Sequence, residues 1–226
     1  MASRPKLLDL FCGAGGCSVG YHRAGFDVVG VDNRPMPNYP FEFHQGDALD
    51  FLAAHGGEFA AIHASPPCQH YTIGRHIHNS GKRHPDLVAT TRQLLDAAGK
   101  PWVMENVMGA PMHRPVMLCG LMFGLRVLRH RLFESSAALL APSHPKHPPG
   151  NLTNANQGYS TGSHGFVSVA GHNFVRTAGA EAMQIDWMKR REELAQAIPP
   201  AYTEFVGKQL IRVCKKEFSN DKELVA

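Results

Sequence analysis

Through the first half of the chain, short apolar runs alternate with amphipathic stretches. Lys6 to Phe11 is an apolar run broken by Asp9 and ending in Cys12-Gly13-Ala14-Gly15-Gly16. The small-residue segment Cys17 to Gly25 then reads as a helix, and Asp27 to Val31 as a buried strand closed by Asp32. Strand, glycine turn, helix, strand and acid together make a βαβ unit. The alternation goes on with a weak strand at Phe43 to Asp47, a helix at Ala48 to Ala54 and a strand at Phe59 to Ala64. Pro85 to Ala98 is an amphipathic helix with Leu87, Leu94, Leu95 and Ala98 on one face, and Trp102 to Val107 is a fifth strand. This order predicts an α/β, Rossmann-like fold with a mostly parallel sheet covered on both faces.

Beyond Phe133 the texture changes. Ala141 to Gly165 is rich in Pro, His, Asn, Ser and Gly and predicts irregular chain, with a short strand at Phe166 to Ala170. Helical patterns return at Asp186 to Ala197 and at Pro200 to Lys216, the latter with Tyr202, Phe205, Val206, Leu210 and Val213 on one face. Ser219 to Ala226 reads as a frayed tail.

Composition narrows the function classes. With 226 residues, 43% hydrophobic and 19% charged, the chain supports one domain with a real core and is not a disordered protein. No run of 18 apolar residues occurs, so no membrane helix is expected, and Met1 to Lys6 has no signal-peptide pattern. A net charge of +4 suits a polyanionic partner without demanding one. The five cysteines, Cys12, Cys17, Cys68, Cys119 and Cys214, are odd in number and scattered. They fit neither a disulfide framework nor a zinc site, so a reducing compartment, no metal and at least one chemically used thiol are expected.

Four places carry candidate chemistry. The glycine turn lets backbone approach a ligand, and Asp32 stands where a carboxylate meets ribose hydroxyls; a plain structural turn is the bland alternative. Ser65-Pro66-Pro67-Cys68-Gln69 follows the fourth strand, where two prolines stiffen the loop that presents the Cys68 thiol. Cys68 is there either a nucleophile or an inert buried cysteine. Glu105-Asn106-Val107 ends the fifth strand, and desolvation there would keep the Glu105 carboxyl protonated unless it merely caps a loop. Arg129-His130-Arg131 sits in the strand-like run Val127 to Phe133, which would turn both arginines to one side; the alternative is a pair of solvated charges.

Together these residues resemble the DNA cytosine-5 methyltransferase family. Asp9 to Gly16 resembles its first motif, and Pro66-Pro67-Cys68-Gln69 its catalytic motif. Glu105-Asn106-Val107 and Arg129-His130-Arg131 match two further motifs, and Ala197-Ile198-Pro199-Pro200 before an apolar helix resembles the last. The resemblance covers Leu7 to about Glu134 and Glu193 to about Val213, with the motifs in the family's order. It implies a core at 1–138, a small target-recognition insertion at 139–183 and a return to the core at 184–226.

The resemblance also implies the chemistry. Cys68 would add to carbon 6 of cytosine, Glu105 would serve N3, and Arg131 with Arg129 would bind the base carbonyl. Their positive charge would lower the Cys68 pKa. The cofactor would be S-adenosyl-L-methionine, with Phe11 against adenine, Gly13, Ala14 and Gly15 around the methionine part, Asp32 on ribose and Asp47 at the adenine amino group; Pro67 and Gln196 would border it. DNA is the implied partner, contacted by the loop from His70 to Pro85 with Arg75, Lys82, Arg83 and four histidines. A monomer in the cytoplasm of a prokaryotic or phage-infected cell is expected.

Three departures stand out. Val127-Leu128 replaces the glutamine before Arg-x-Arg, Gln196 replaces the Gly-Asn before the last motif, and the recognition region is very short. The resemblance therefore leaves open a transfer-RNA cytosine-5 methyltransferase, a silent DNA-binding relative and an enzyme using a modified sulfonium cofactor.

Overall fold

The computed structural model describes residues 3–71, 86–147, 165–171 and 174–224, with side chains of the last helix described to Lys215. Its strands are β1 (Lys6–Leu10), β2 (Asp27–Asp32), β3 (Glu42–Gln45), β4 (Ala61–Ala64), β5 (Trp102–Asn106), β6 (Val116–Leu118) and β7 (Arg131–Ser135). The helices are α1 (Gly16–Ala24), α2 (Ala48–His55), α3 (Val88–Ala97), α4 (Arg176–Met183), α5 (Arg191–Gln196) and α6 (Pro200–Leu224). One seven-stranded sheet runs in the order β3-β2-β1-β4-β5-β7-β6. The first five of these strands pair in parallel, and β7 joins β5 and β6 antiparallel.

Both faces of the sheet are covered because successive side chains of a strand point opposite ways. Leu7 enters a core with α1, α6 and the segment 167–198, whereas Leu8 enters a second core with α2 and α3. The apolar face expected of the last helix is realised by Tyr202, Val206 and Leu210, all buried. Gly20 permits its close approach to α1, since a Cβ there would stand 2.0 Å from Thr203 Oγ1 and 2.3 Å from Pro200 O.

Several expectations need correction. The strand placed at Val127 to Phe133 begins only at Arg131, because Gly120 and Leu125 to Leu128 fold back on each other through the Gly120 N–H to Leu128 O bond and the Leu125 N–H to Gly120 O bond. Phe166 to Ala170 is not a strand; Val167 and Val169 are nonetheless buried, and Val167 N–H donates to Arg126 O over 2.8 Å. The single helix at Asp186 to Ala197 resolves into a short α5, preceded by α4. Gln184 ends α4 in the left-handed region at φ 55°, and Ile185 and Met188 are buried in the turn between. The last helix does not stop at Lys216 but runs to Leu224. Strand β6 had no sequence signal, being only three residues long.

Candidate active site

In an open parallel sheet the ligand crevice lies beyond the carboxyl ends of the strands, where connections leave in opposite directions. Here β1 and β4 are adjacent, and the chain leaves them toward different faces. A cavity of about 1110 Å³ opens at that point. It takes lining from Phe11, Gly13, Ala14, Asp32, Asp47, Pro67, Cys68, Glu105, Arg129, Arg131 and Gln196. Thus all the candidate residues converge there except Gly15. That glycine is the left-handed N-cap of α1 at φ 86°, and a Cβ on it would meet Pro40 Cδ at 2.9 Å. Its part is to shape the turn, while Gly16 stands on the cavity wall in its place.

The cofactor-like half is held by backbone. Phe11 sits at φ 57°, a costly conformation for an aromatic residue, and its ring reaches the cavity. Gly13 N–H donates to Asp32 Oδ2 over 3.1 Å, and Arg34 N–H to Asp32 Oδ1 over 3.0 Å, so this carboxylate fastens the turn to the end of β2. Asp47 is the N-cap of α2, with Oδ1 accepting from Leu49 N–H and Asp50 N–H over 2.8 and 3.1 Å. Gln196 closes the rim by accepting from Arg34 Nη2 over 3.1 Å.

The other half gathers the reactive groups. Asn106 Nδ2 donates to Pro66 O over 3.0 Å, which fixes the Pro-Pro-Cys loop to the end of β5. Glu105 is buried, with Arg131 Nε 3.1 Å from its Oε1. Burial raises the Glu105 pKa, and Arg131, Arg129 and the Ser65 hydroxyl pull it back only in part. The Cys68 pKa is also raised, which corrects the expected lowering. Burial is the largest cause and the Glu105 charge adds to it, outweighing the opposing arginines. The two arginines share the cavity, but not through strand alternation, since Arg129 precedes β7. Arg129 donates from Nη1 to Val169 O and from Nη2 to Ala195 O, both over 2.6 Å, and so ties the site to the carboxyl-terminal segments.

Beneath Glu105 lies a buried polar chain with no sequence motif. Ser65 Oγ contacts both Glu105 and His63 Nε2, the latter at 2.9 Å, and His63 Nδ1 lies 2.9 Å from Tyr21 Oη. Burial lowers the His63 pKa to about 3, so the ring is neutral. A polar residue in the otherwise apolar fourth strand was the available signal. The same holds for Asp9, which is buried against the Ser18 hydroxyl and has its pKa raised to about 7 mainly by burial. Of the loop expected to contact DNA, His70 and Tyr71 are described; Arg75, Lys82, Arg83, His76, His78 and His84 lie outside the described residues.

Sheet order, glycine turn and carboxyl-end cavity define an S-adenosylmethionine-dependent methyltransferase fold. The Dnmt2 methyltransferase of S. pombe shares that fold with a TM-score of 0.60 at 12% identity, over 92% of this chain and 98% of that one. The family model for C-5 cytosine-specific DNA methylase matches residues 5–115. The Type II methyltransferase M.HgiGI of Herpetosiphon aurantiacus is 32% identical over 117 residues, 45% of this chain and 90% of the relative. M.AquIA of Picosynechococcus sp. is 31% identical over 123 residues, 46% of this chain and 49% of the relative. The chain belongs to the C-5 cytosine-specific DNA methylase family. Its matches span 49% of M.AquIA and 37% of M.HgiDI, about half the length of these curated relatives or less.

Proposed function

We propose that this protein transfers a methyl group from S-adenosylmethionine to carbon 5 of cytosine in DNA, with Cys68 as nucleophile. The convergence of Cys68, Glu105 and Arg131 on a cavity whose opposite wall is the glycine turn carries this reading. The residues present fit the cofactor. A cavity of about 1110 Å³ stands at the upper end of the roughly 300–1,000 Å³ usual for ligand pockets, ample for the cofactor. Asp9 Oδ1, on the cavity wall, is buried with no hydrogen-bond partner, as a site built for a polar ligand would leave it. Phe11 would face the adenine, Asp47 its amino group and Asp32 the ribose. Backbone at Gly13 and Ala14 would surround the methionine part, with Pro67 and Gln196 at the border. When bound, S-adenosylmethionine supplies an electrophilic methyl group.

Carbon 5 of cytosine is too weak a nucleophile to take that methyl unaided. Addition of the Cys68 thiolate to carbon 6 makes the ring an enamine, and carbon 5 becomes reactive. Glu105, whose pKa burial raises, takes up a proton as the base binds, donates a hydrogen bond at N3 and disperses the negative charge that develops on the ring. Arg131 binds the base carbonyl. Once carbon 5 has taken the methyl, a base accepts the carbon 5 proton and the Cys68 thiolate is expelled from carbon 6, which restores the aromatic ring. Because the free thiol is held protonated, the thiolate forms in the occupied site. The base must leave the duplex to reach Cys68. We assign residues 1–138 and 184–226 to this core and 139–183 to target contacts, the part from Val167 to Met183 also packing into the core, with sequence selectivity limited by the small size of that region.

The test is a covalent trap. The protein and its Cys68→Ser variant are incubated with labelled S-adenosylmethionine and either duplex DNA or transfer RNA containing 5-fluorocytosine. A labelled protein–DNA band, lost in the variant, is expected. With cofactor binding confirmed by calorimetry, no band on DNA overturns the proposal, and a band on transfer RNA alone moves the substrate to RNA.

A further inference from the structure

One side-chain cluster on the described surface is unrelated to the methyl-transfer chemistry. Cys119, at the end of β6, lies beside His130, His144 and His147, and one donor atom from each falls within 4.8 Å of the other three. His144 Nε2 is 3.3 Å from both His130 Nε2 and His147 Nε2, and Cys119 Sγ is 3.7 Å from His147 Nε2. A zinc ion bound at about 2.05 Å by nitrogen and about 2.3 Å by sulfur sets tetrahedral edges of about 3.3 Å between nitrogens and about 3.6 Å between nitrogen and sulfur. These three separations match those edges, and the remaining ones lie within 4.8 Å.

Hydrogen bonding explains the cluster poorly. A neutral imidazole nitrogen carries either one lone pair or one N–H, so His144 Nε2 cannot make good bonds to two other Nε2 atoms at once. Three nitrogens and a sulfur gathered within 4.8 Å of one another suit a cation. The Cys119 sulfur is buried. Its present contact, 2.9 Å to Leu128 O, uses the thiol proton that metal binding would release.

We propose that Cys119, His130, His144 and His147 form a structural zinc site. Four protein ligands close the coordination sphere, which suits a structural site and leaves no open position for catalysis. The short His144-Pro145-Lys146-His147 spacing gives a two-ligand clip, and Cys119 and His130 supply the other two from the β6–β7 connection. The site acts on the cavity through His130, whose carbonyl accepts from Arg131 Nη1 over 2.8 Å. Fixing His130 therefore fixes the guanidinium that pairs with Glu105. The expectation of no metal counted cysteines alone, and three of these four donors are histidines. The inference does not depend on the proposed reaction.

The test uses full-length protein without an affinity tag, produced in zinc-supplemented medium. Elemental analysis should find one zinc per chain. Cobalt exchanged into the site should show the intense visible bands of a tetrahedral thiolate complex. His144 and His147 are exposed, so His144→Asn and His147→Asn should fold. Each should weaken zinc by more than the roughly 10–100-fold that loss of an outer-shell partner costs. Chelator should lower the melting temperature of the parent but not of the double variant. Substoichiometric zinc in the parent without the cobalt bands, or equal zinc retained by the double variant, overturns the proposal.

Discussion

At Cys68 two arginines are close enough to favour a thiolate, yet burial and Glu105 win. The other four cysteines are buried, so iodoacetamide should alkylate Cys68 first. Its alkylation rate against pH should have a midpoint above that of an ordinary cysteine. Glu105→Gln should move that midpoint down, since it removes a negative neighbour, and Arg131→Gln should move it up. Glu105→Gln should also lower kcat by about 10²–10⁴-fold with cofactor affinity unchanged, the span expected for a lost acid–base group. An unchanged kcat would remove Glu105 from the chemistry.

Among the elements, the antiparallel end of the sheet is fastened by a buried ion pair. Arg92 on α3 donates to both oxygens of Glu134 on β7, over 2.6 and 2.9 Å, and His113 N–H donates to the same carboxylate over 2.7 Å. Glu134 is 3% exposed, so Arg92→Ala strands a buried charge and should cost about 3–5 kcal/mol in urea unfolding. At the contact of α1 with α6, Gly20→Ala should cost about 1–3 kcal/mol by overpacking against Thr203 and Pro200. A loss under about 0.5 kcal/mol at either site would show that the neighbours relax freely.

Elements with strong periodicity or punctuation were legible from sequence: β1, the glycine turn, β2 and α6 lie within a residue or so of where the pattern puts their starts. The Arg-His-Arg segment was misread because β-branched and apolar residues at Val127 and Leu128 mimic a strand, whereas the chain there folds back on Gly120. The candidate site was legible as motifs at strand ends. The Tyr21–His63–Ser65 chain and the Cys119–histidine cluster were not, since Tyr21 meets His63 across 42 residues of sequence and Cys119 meets His147 across 28.

For the molecule as a whole, two buried titratable groups set opposing pH slopes. His63 has its pKa lowered to about 3, so the unfolded chain takes up its proton first as pH falls below the ordinary value near 6.5. Its contribution to stability is therefore lost progressively from about pH 6.5 down to about 3. Asp9 has its pKa raised to about 7, so stability is full below the unfolded value near 4 and is lost as pH rises to about 7. Between about pH 4 and 6.5 the two slopes, each about 1.4 kcal/mol per pH unit, nearly cancel. The parent's melting temperature across that window, to which Glu105 and His130 also contribute, is the reference for both variants. Asp9→Asn should make stability rise with pH, and His63→Gln should make it fall. Parallel profiles for all three proteins would refute the assignment.

The contact of α1 with the segment that opens α6 also bears on biosynthesis. A Cβ on Gly16 would stand 2.5 Å from Ile198 O, so the turn that cradles the ligand is braced by chain made long after it. While the ribosome is still extending the polypeptide, the nascent amino-terminal half has no partner for that face. The cavity wall at Gly16 is therefore braced only once Ile198 has emerged, and a product stalled before that point carries Cys68, Glu105, Arg129 and Arg131 without the brace.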